Sequence, residues 1–278
     1  MEPMEIGLIT TFEEGIEATA RKVNSLGIGS IQYLYLPEDG RSKADINRIN
    51  TVLGLAGIRV SGLFCTFAEM DYSTIPKSVE TGGLVPLRYR KERLAETMKL
   101  CDLAQEIGAS AVILHYGALP EDQASHDYPD LIDVTQQLCD HCREMRLTLN
   151  LETGEDTSET LLTFIRDVDR PNLGINFDPA NMILYGTGNP IEALQQVGSY
   201  VLSCHCKDAV WSSSPGIEWG EEVTLGTGEV DIERFIRTLH RIDYRGPLTI
   251  EREIHGEKQI GQIRLAKSLL ENIKAGLV

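Results

Sequence analysis

LTLNLE (147–152), LGINFD (173–178), YVLSCH (200–205) and PLTIE (247–251) are short apolar runs, each closed by an acid or an imidazole: Glu152, Asp178, His205 and Glu251. A β-strand turns successive side chains to opposite faces. Glu152 therefore shares a face with Thr148 and Asn150, away from Leu147, Leu149 and Leu151. Asp178 shares one with Asn176, His205 lies opposite Cys204 and Cys206, and Glu251 lies opposite Leu248 and Ile250. Each run thus ends in a ligand-type side chain on its less apolar face. Set side by side, such strands bring two Glu, one Asp and one His to one point. That mixed oxygen and nitrogen set suits a divalent cation. Mn²⁺ is the expected ion, with Mg²⁺, Co²⁺ or Zn²⁺ as alternatives.

Outward from these runs, strand and helix patterns alternate along the whole chain. Further strands are expected at 5–10, 30–36, 58–64 and 111–115. Between them, apolar residues recur at helical spacing, as in Leu94, Met98 and Cys101 or Phe235, Ile236 and Leu239. Several helices close on glycine before the next strand, at Leu26-Gly27, Ala56-Gly57 and Ile107-Gly108. Eight strands alternating with eight helices predict an α/β fold, a (β/α)8 TIM barrel forming a single domain over 1–278.

Composition narrows the function classes. The chain has 278 residues and a formal charge of −16, with no clustered basic face. That balance argues against nucleic acid and anionic membrane as partners. No apolar run has the length of a membrane span, and MEPMEIGLIT lacks the pattern of a secretory signal, so a cytoplasmic protein is expected. Cys139 and Cys142 form a CxxC within a helical pattern, without a second CxxC to complete a zinc site, and read as reduced, buried or half-buried thiols.

Two connections leave the C-terminal ends of strands and are long: 65–87 and 207–230. In this architecture that end carries the chemistry. Phe67, Tyr72, Trp211 and Trp219 make both connections candidate walls or lids, with Glu218 beside Trp219 as a candidate substrate contact. His115 ends the fourth strand and Lys207 shares the face of His205; both are candidate substrate contacts. An ammonium there can hold a substrate oxygen or stabilise developing negative charge. Asp231 reads as a helix N-cap, Gly226 and Gly228 as a weak phosphate loop, and Arg88 and Arg90 as solvent-facing. Each strand-end residue also has a structural reading, and Asp178 before Pro179 fits an N-cap. The four in phase, at the same end of successive strands, favour the joint metal reading.

The chain resembles the xylose isomerase-like (β/α)8 barrel superfamily, in the branch of sugar phosphate isomerases, epimerases and inosose-processing enzymes. The resemblance rests on LNLETG (149–154), NFDPANMILYG (176–186), HCKDA (205–209), LGTGEVD (225–231) and GPLTIERE (246–253), together with 83–117. It implies that Glu152, Asp178, His205 and Glu251 hold the metal, and that Glu152 and Glu251 also serve as the acid/base pair. Many epimerases of this kind carry a histidine three residues past the metal aspartate. Asn181 stands there in this chain. It can hydrogen-bond a sugar hydroxyl but cannot carry a proton. The resemblance also implies a homodimer or homotetramer.

Three enzymatic readings follow. The first is a divalent-metal-dependent isomerase or epimerase of a keto-sugar or sugar phosphate, acting by α-proton abstraction through an enediolate. The alternative is a metal-dependent lyase or dehydratase on a 3-keto-glycoside or keto-inositol. A DNA-repair endonuclease of the same superfamily needs a three-zinc cluster. The six histidines here, of which His115 and His205 close strands, do not supply one. A non-catalytic carbohydrate-binding barrel has no use for an intact ligand set.

Overall fold

All eight expected strands form, and they close on themselves. The computed structural model describes residues 4–37 and 39–277. Met1–Pro3, Glu38 and Val278, which the single domain 1–278 includes, lie outside the described residues. The barrel strands are β1 (Ile6–Thr10), β2 (Ser30–Tyr35), β3 (Arg59–Cys65), β4 (Ala111–Leu114), β5 (Thr148–Glu152), β6 (Leu173–Phe177), β7 (Val201–Cys206) and β10 (Leu248–Ile250). Between the last two, β8 (Asp208–Val210) and β9 (Glu221–Val223) make a separate antiparallel hairpin. The closed order is β1-β10-β7-β6-β5-β4-β3-β2, and neighbouring strands run parallel. This is a single (β/α)8 TIM barrel.

Two apolar regions hold it together. The larger lies between strands and helices, where Leu149, Leu151, Ile175, Phe177, Cys204 and Leu248 point outward onto buried helix faces. Phe177 stacks on Phe235 of the helix Ile232–Arg241, with ring centroids 6.0 Å apart. The smaller region fills the barrel interior on one side: Phe64, Ala111 and Ile113, with Ile9 and Leu34 packed against them. The opposite side of the interior, on β5, β6, β7 and β10, carries buried Asn150, Glu152, Asn176, Ser203, His205 and Thr249. The strand-alternation rule thus gives an interior that is half hydrocarbon and half polar, with the polar half where the four ligand candidates stand.

Helix ends follow the expected chemistry. Gly27, Gly57 and Gly108 each follow a helix in the left-handed region, at φ 63°, 69° and 73°, where a side chain is disfavoured. The helix count differs from eight. Ten α-helices and one 3-10 turn occur among the described residues. The third connection contains the helix Ile75–Thr81, started by the Thr74 hydroxyl, which accepts the Lys77 amide at 3.3 Å. The helical stretch after β6 is two helices, Pro179–Tyr185 and Pro190–Val197, because Gly186 turns left-handed (φ 77°) and Pro190 cannot continue a helix from behind. The seventh connection is ordered by the β8–β9 hairpin. No described helix is long and apolar enough to cross a membrane.

Arg88 is exposed and pairs with Glu80, as its position suggested. Arg90 does not face solvent: it is 4% exposed on the helix Leu87–Glu106. Its guanidinium donates to Leu84 O at 3.0 Å, to Val85 O, and to Asp127 Oδ1 at 2.7 Å. The apolar stem is buried while the five-donor head pins the strap that runs over the third strand's end. Replacing Arg90 by Ala strands the buried Leu84 carbonyl, the part-buried Val85 carbonyl and the Asp127 carboxylate. An apparent stability loss of about 3 kcal/mol is expected, read as a lowered urea midpoint against wild type. An unchanged midpoint would show that the strap does not depend on this residue.

Candidate metal centre

The ligand candidates meet. Glu152, Asp178, His205 and Glu251 each offer one donor atom, all within 4.8 Å of one another. His205 Nδ1 is the hub. It lies 2.7 Å from Glu152 Oε1, 2.7 Å from Glu251 Oε2 and 3.6 Å from Asp178 Oδ2. His205 and Asp178 have no solvent exposure. Strand register explains the convergence. Glu152 is level with Asn176 across β5–β6, Asn176 with Ser203 across β6–β7, and His205 with Thr249 across β7–β10.

The unused face of each donor is tied down. Gln32, on β2 across the barrel, sets its Oε1 2.7 Å from His205 Nε2. The Gln32 amide nitrogen in turn donates to Asn176 Oδ1 at 3.4 Å, and Asn176 donates to Glu152 Oε1 at 2.9 Å. With Gln32 oriented this way, Nε2–H is the donor and Nδ1 is the ligand nitrogen. Asp178 divides its two oxygens. Oδ1 caps the helix Pro179–Tyr185, accepting the amides of Ala180 at 2.8 Å and Asn181 at 3.1 Å. Oδ2 has no hydrogen-bond partner, and neither have His205 Nδ1 and Glu251 Oε2. Three buried polar atoms without partners, aimed at one point and of the right donor types, fit a divalent cation. The N-cap and ligand readings of Asp178 are both realised, on different atoms.

Without a metal, the same geometry governs protonation. Burial pushes His205 down, but the Glu251 and Glu152 charges outweigh it and hold the imidazole well above its ordinary range. Burial likewise raises Glu152, yet the charges of His115 and His205 prevail and keep it below the usual carboxylate range. Glu251 goes the other way: burial lifts it to about 7, against the pull of Lys207 and His205.

The wall residues follow. His115 Nε2 is 2.7 Å from Glu152 Oε2. Burial lowers His115, and Glu152 more than reverses that, to about 9. Lys207 is buried; its ammonium donates to Asn181 Oδ1 at 3.3 Å, contacts Glu253, and stands 3.6 Å from Glu251 Oε1. Asn181 is therefore in the site, through Lys207. Trp219 lies edge-on to Tyr185 at 4.5 Å between centroids, and the Tyr185 hydroxyl meets Ser78 Oγ at 2.8 Å, so Trp219 backs the wall at one remove. Glu218 is exposed at the hairpin tip, accepts from Ser213 Oγ at 3.3 Å, and is not brought to the centre.

Four residues escaped the sequence reading. Gln32 was visible as a polar residue inside the apolar run SIQYLYL. Phe64 packs between the two imidazoles, 5.8 Å from the His115 ring and 6.0 Å from that of His205. Glu155 places Oε2 3.9 Å from His115 Nδ1 and accepts from Tyr185 and Ser78 at 3.2 Å each. Glu253, two residues past Glu251, neutralises Lys207. The last two sit in loops with no periodicity to read.

A family model described as xylose isomerase-like TIM barrel matches residues 20–275. The chain belongs to that family. A solved xylose isomerase domain protein from Planctomyces limnophilus is 41% identical, covers 99% of this chain and 98% of its own, and superposes with a TM-score of 0.92. Among curated proteins, the L-ribulose 3-epimerase of Methylomonas sp. is 26% identical over 55% of this chain and 53% of its own length. The 3-dehydroshikimate dehydratase of Pseudomonas putida is 24% identical over 58% of this chain and 27% of its own length. The chain thus spans about half, or less, of these curated relatives.

Metal binding must displace the proton that His205 holds among three carboxylates, and part of the proton on Glu251. At least one proton should leave per ion at neutral pH, and affinity should rise as pH is raised through about 7. Calorimetric titration of Mn²⁺ in buffers of different ionisation enthalpy measures this; heats independent of buffer would contradict it. Gln32→Leu frees Nε2 from its acceptor and should weaken Mn²⁺ binding about 10- to 100-fold with the barrel intact.

Proposed function

We propose that the protein is a divalent-metal-dependent isomerase or epimerase of keto-sugars, with Glu152 and Glu251 as its pair of proton carriers. The observation that carries this reading is geometric: Glu152 and Glu251, from different strands, each set a carboxylate oxygen 2.7 Å from His205 Nδ1 and so face one point. Before an ion binds, burial raises Glu152 but the charges of His115 and His205 hold it below the usual carboxylate range, while burial lifts Glu251 to about 7. Two carboxylates facing one substrate position can act in turn as base and acid.

A dication held by Glu152, Asp178, His205 and Glu251 would polarise a substrate carbonyl and its neighbouring hydroxyl, acidifying the C–H between them. The chain's own residues supply the rest. Glu152 is the base that takes the carbon-bound proton, and Glu251 returns one from the other side. His115, at 2.7 Å from the outer oxygen of Glu152, holds that carboxylate in one rotamer. Lys207, clamped by Asn181 and Glu253, presents an ammonium to substrate oxygen and steadies negative charge as it develops. Phe64 gives the carbon skeleton an apolar wall. Mn²⁺ is the proposed ion, with Mg²⁺, Co²⁺ and Zn²⁺ as the others that the donor set accepts.

A second reading keeps the same first step. A proton carried by the Glu pair can go to a β-leaving oxygen instead of to carbon, giving a lyase or dehydratase on a 3-keto-glycoside or keto-inositol. The dehydratase among the relatives supports keeping it.

Proton NMR in deuterated buffer separates the two. Incubation of the Mn²⁺-loaded protein with free ketoses should place solvent deuterium on the carbon beside the carbonyl and return the epimer. Release of water or alcohol with an unsaturated product would establish the second reading. Glu152→Gln should lower kcat by at least about 100-fold with an unchanged unfolding midpoint. Near-wild-type turnover in that variant removes the acid/base role.

A further inference from the structure

Cys142, one half of the CxxC in the sequence, finds its contact on another helix. Its Sγ lies 3.4 Å from the Sγ of Cys101. Cys101 is a buried residue of the helix Leu87–Glu106, and Cys142 of the helix Tyr128–Glu144. Both belong to the apolar region between strands and helices, on the other side of the barrel wall from the metal centre. All six cysteines are free and buried, and Cys65 and Cys139 also interact with the pair. The residues beside the sulfurs tie the same two helices. His141, next to Cys142, sets Nε2 3.3 Å from Met98 O and 3.2 Å from Oδ1 of Asp102, which is next to Cys101. A carbonyl can only accept, so Nε2 carries the hydrogen. The imidazole thus bridges the helices at the level of the thiols.

Two sulfurs in contact are one oxidation step from a cross-link. A disulfide sets its sulfurs about 2.05 Å apart, so about 1.4 Å remains to be closed. The Cys142 contact and burial push the Cys101 thiol well above its ordinary range, so it rests as a thiol and resists bulky reagents. A small peroxide is the oxidant that suits such a site. One sulfur attacks the O–O bond of hydrogen peroxide, giving a sulfenic acid and one water. The other sulfur then displaces the sulfenic hydroxyl as a second water and forms the S–S bond. Both thiol hydrogens leave in the two waters, and the sulfurs lose two electrons to the peroxide. Held in contact, the second thiol reaches the sulfenic sulfur ahead of any thiol from solution.

We infer that Cys101 and Cys142 are a peroxide-dependent disulfide site, and that the bond staples the helix Leu87–Glu106 to the helix Tyr128–Glu144. The two residues are 41 positions apart in the chain, a loop long enough for the bond to restrict the unfolded state strongly. The staple stands at the foot of β5, where Leu147 N donates to Cys142 O at 2.9 Å just before the strand that ends in Glu152. The inference is independent of the keto-sugar reading, since no atom of the metal centre takes part.

The test treats the full-length, Mg²⁺-loaded protein with hydrogen peroxide. After quenching, remaining thiols are blocked with N-ethylmaleimide in urea, and the chain is cut at its acidic residues without reductant. That cleavage is chosen because no Lys or Arg separates Cys101 from Cys142, whereas Asp140 separates Cys139 from Cys142. Mass spectrometry should find the segments holding Cys101 and Cys142 joined, lighter by two hydrogens than their sum and released by reduction. The urea midpoint of the oxidised protein should rise by about 0.5 M and return on reduction. Cys139→Ala should keep the cross-link and Cys142→Ala should lose it; where Cys142→Ala does not fold, the wild-type map decides alone. A bond between Cys139 and Cys142, a bond between two chains, sulfonic acid without a cross-link, or unchanged thiols overturns the proposal. So does a bonded protein whose midpoint does not rise.

Discussion

His205 Nδ1 sits among three carboxylate oxygens with no exposure to solvent, and the rest of the centre is arranged around that fact. Buried anions at such spacing must share a cation. Against the effect of burial, the carboxylates hold the imidazole well above its ordinary range, and a dication would supply the same positive charge. Gln32 determines which nitrogen faces those carboxylates, and it does so from the far side of the barrel.

The interior reflects this need. A barrel lined with branched aliphatics throughout would offer no place for four ionisable groups. Here Ile9, Leu34, Phe64, Ala111 and Ile113 on β1 to β4 supply the hydrocarbon side, with Gln32 on β2 reaching across to His205, and β5, β6, β7 and β10 supply the polar side, so Phe64 stands against the His205 imidazole. The polar half is cross-linked within itself: Asn150 donates to Ser203 Oγ at 2.8 Å, and Asn176 bridges Gln32 and Glu152. Such links hold donor atoms in position before any ion arrives. The two long connections then differ in how they are fixed. The third is gripped from behind by Arg90, and the seventh is stiffened by a hairpin and by Asp208, which accepts the Gly226 and Gly228 amides at 2.9 Å each.

Period-two alternation made the fold and the four donors legible, because a strand end is a short-range feature. Leu149 and Leu151 against Glu152, or Ile175 and Phe177 against Asp178, say which side faces in without knowledge of any partner. What could not be read was whatever depends on two distant segments meeting. Gln32 acts on His205 across a separation set by barrel closure. Glu155 and Glu253 matter only because loops place them beside His115 and Lys207. The hydrophobic stem of Arg90 made it compatible with burial, yet nothing local showed that Leu84 and Val85 would offer their carbonyls. The extra helices escaped for a related reason: Thr74 and Gly186 are ordinary loop residues until a helix is seen to start or stop there.

Asp178 spends one oxygen on the amides of Ala180 and Asn181 and leaves the other for an ion, and this bears on how such sites are to be recognised in other chains. A descendant that abandoned metal chemistry would still gain from a capping side chain at this position, so an aspartate there survives loss of function. His205 has no such second occupation, for a buried imidazole among acids is a liability once the acids go. The histidine is therefore the more informative of the two residues, and a search guided by the aspartate would gather barrels that have kept the helix and forgotten the metal.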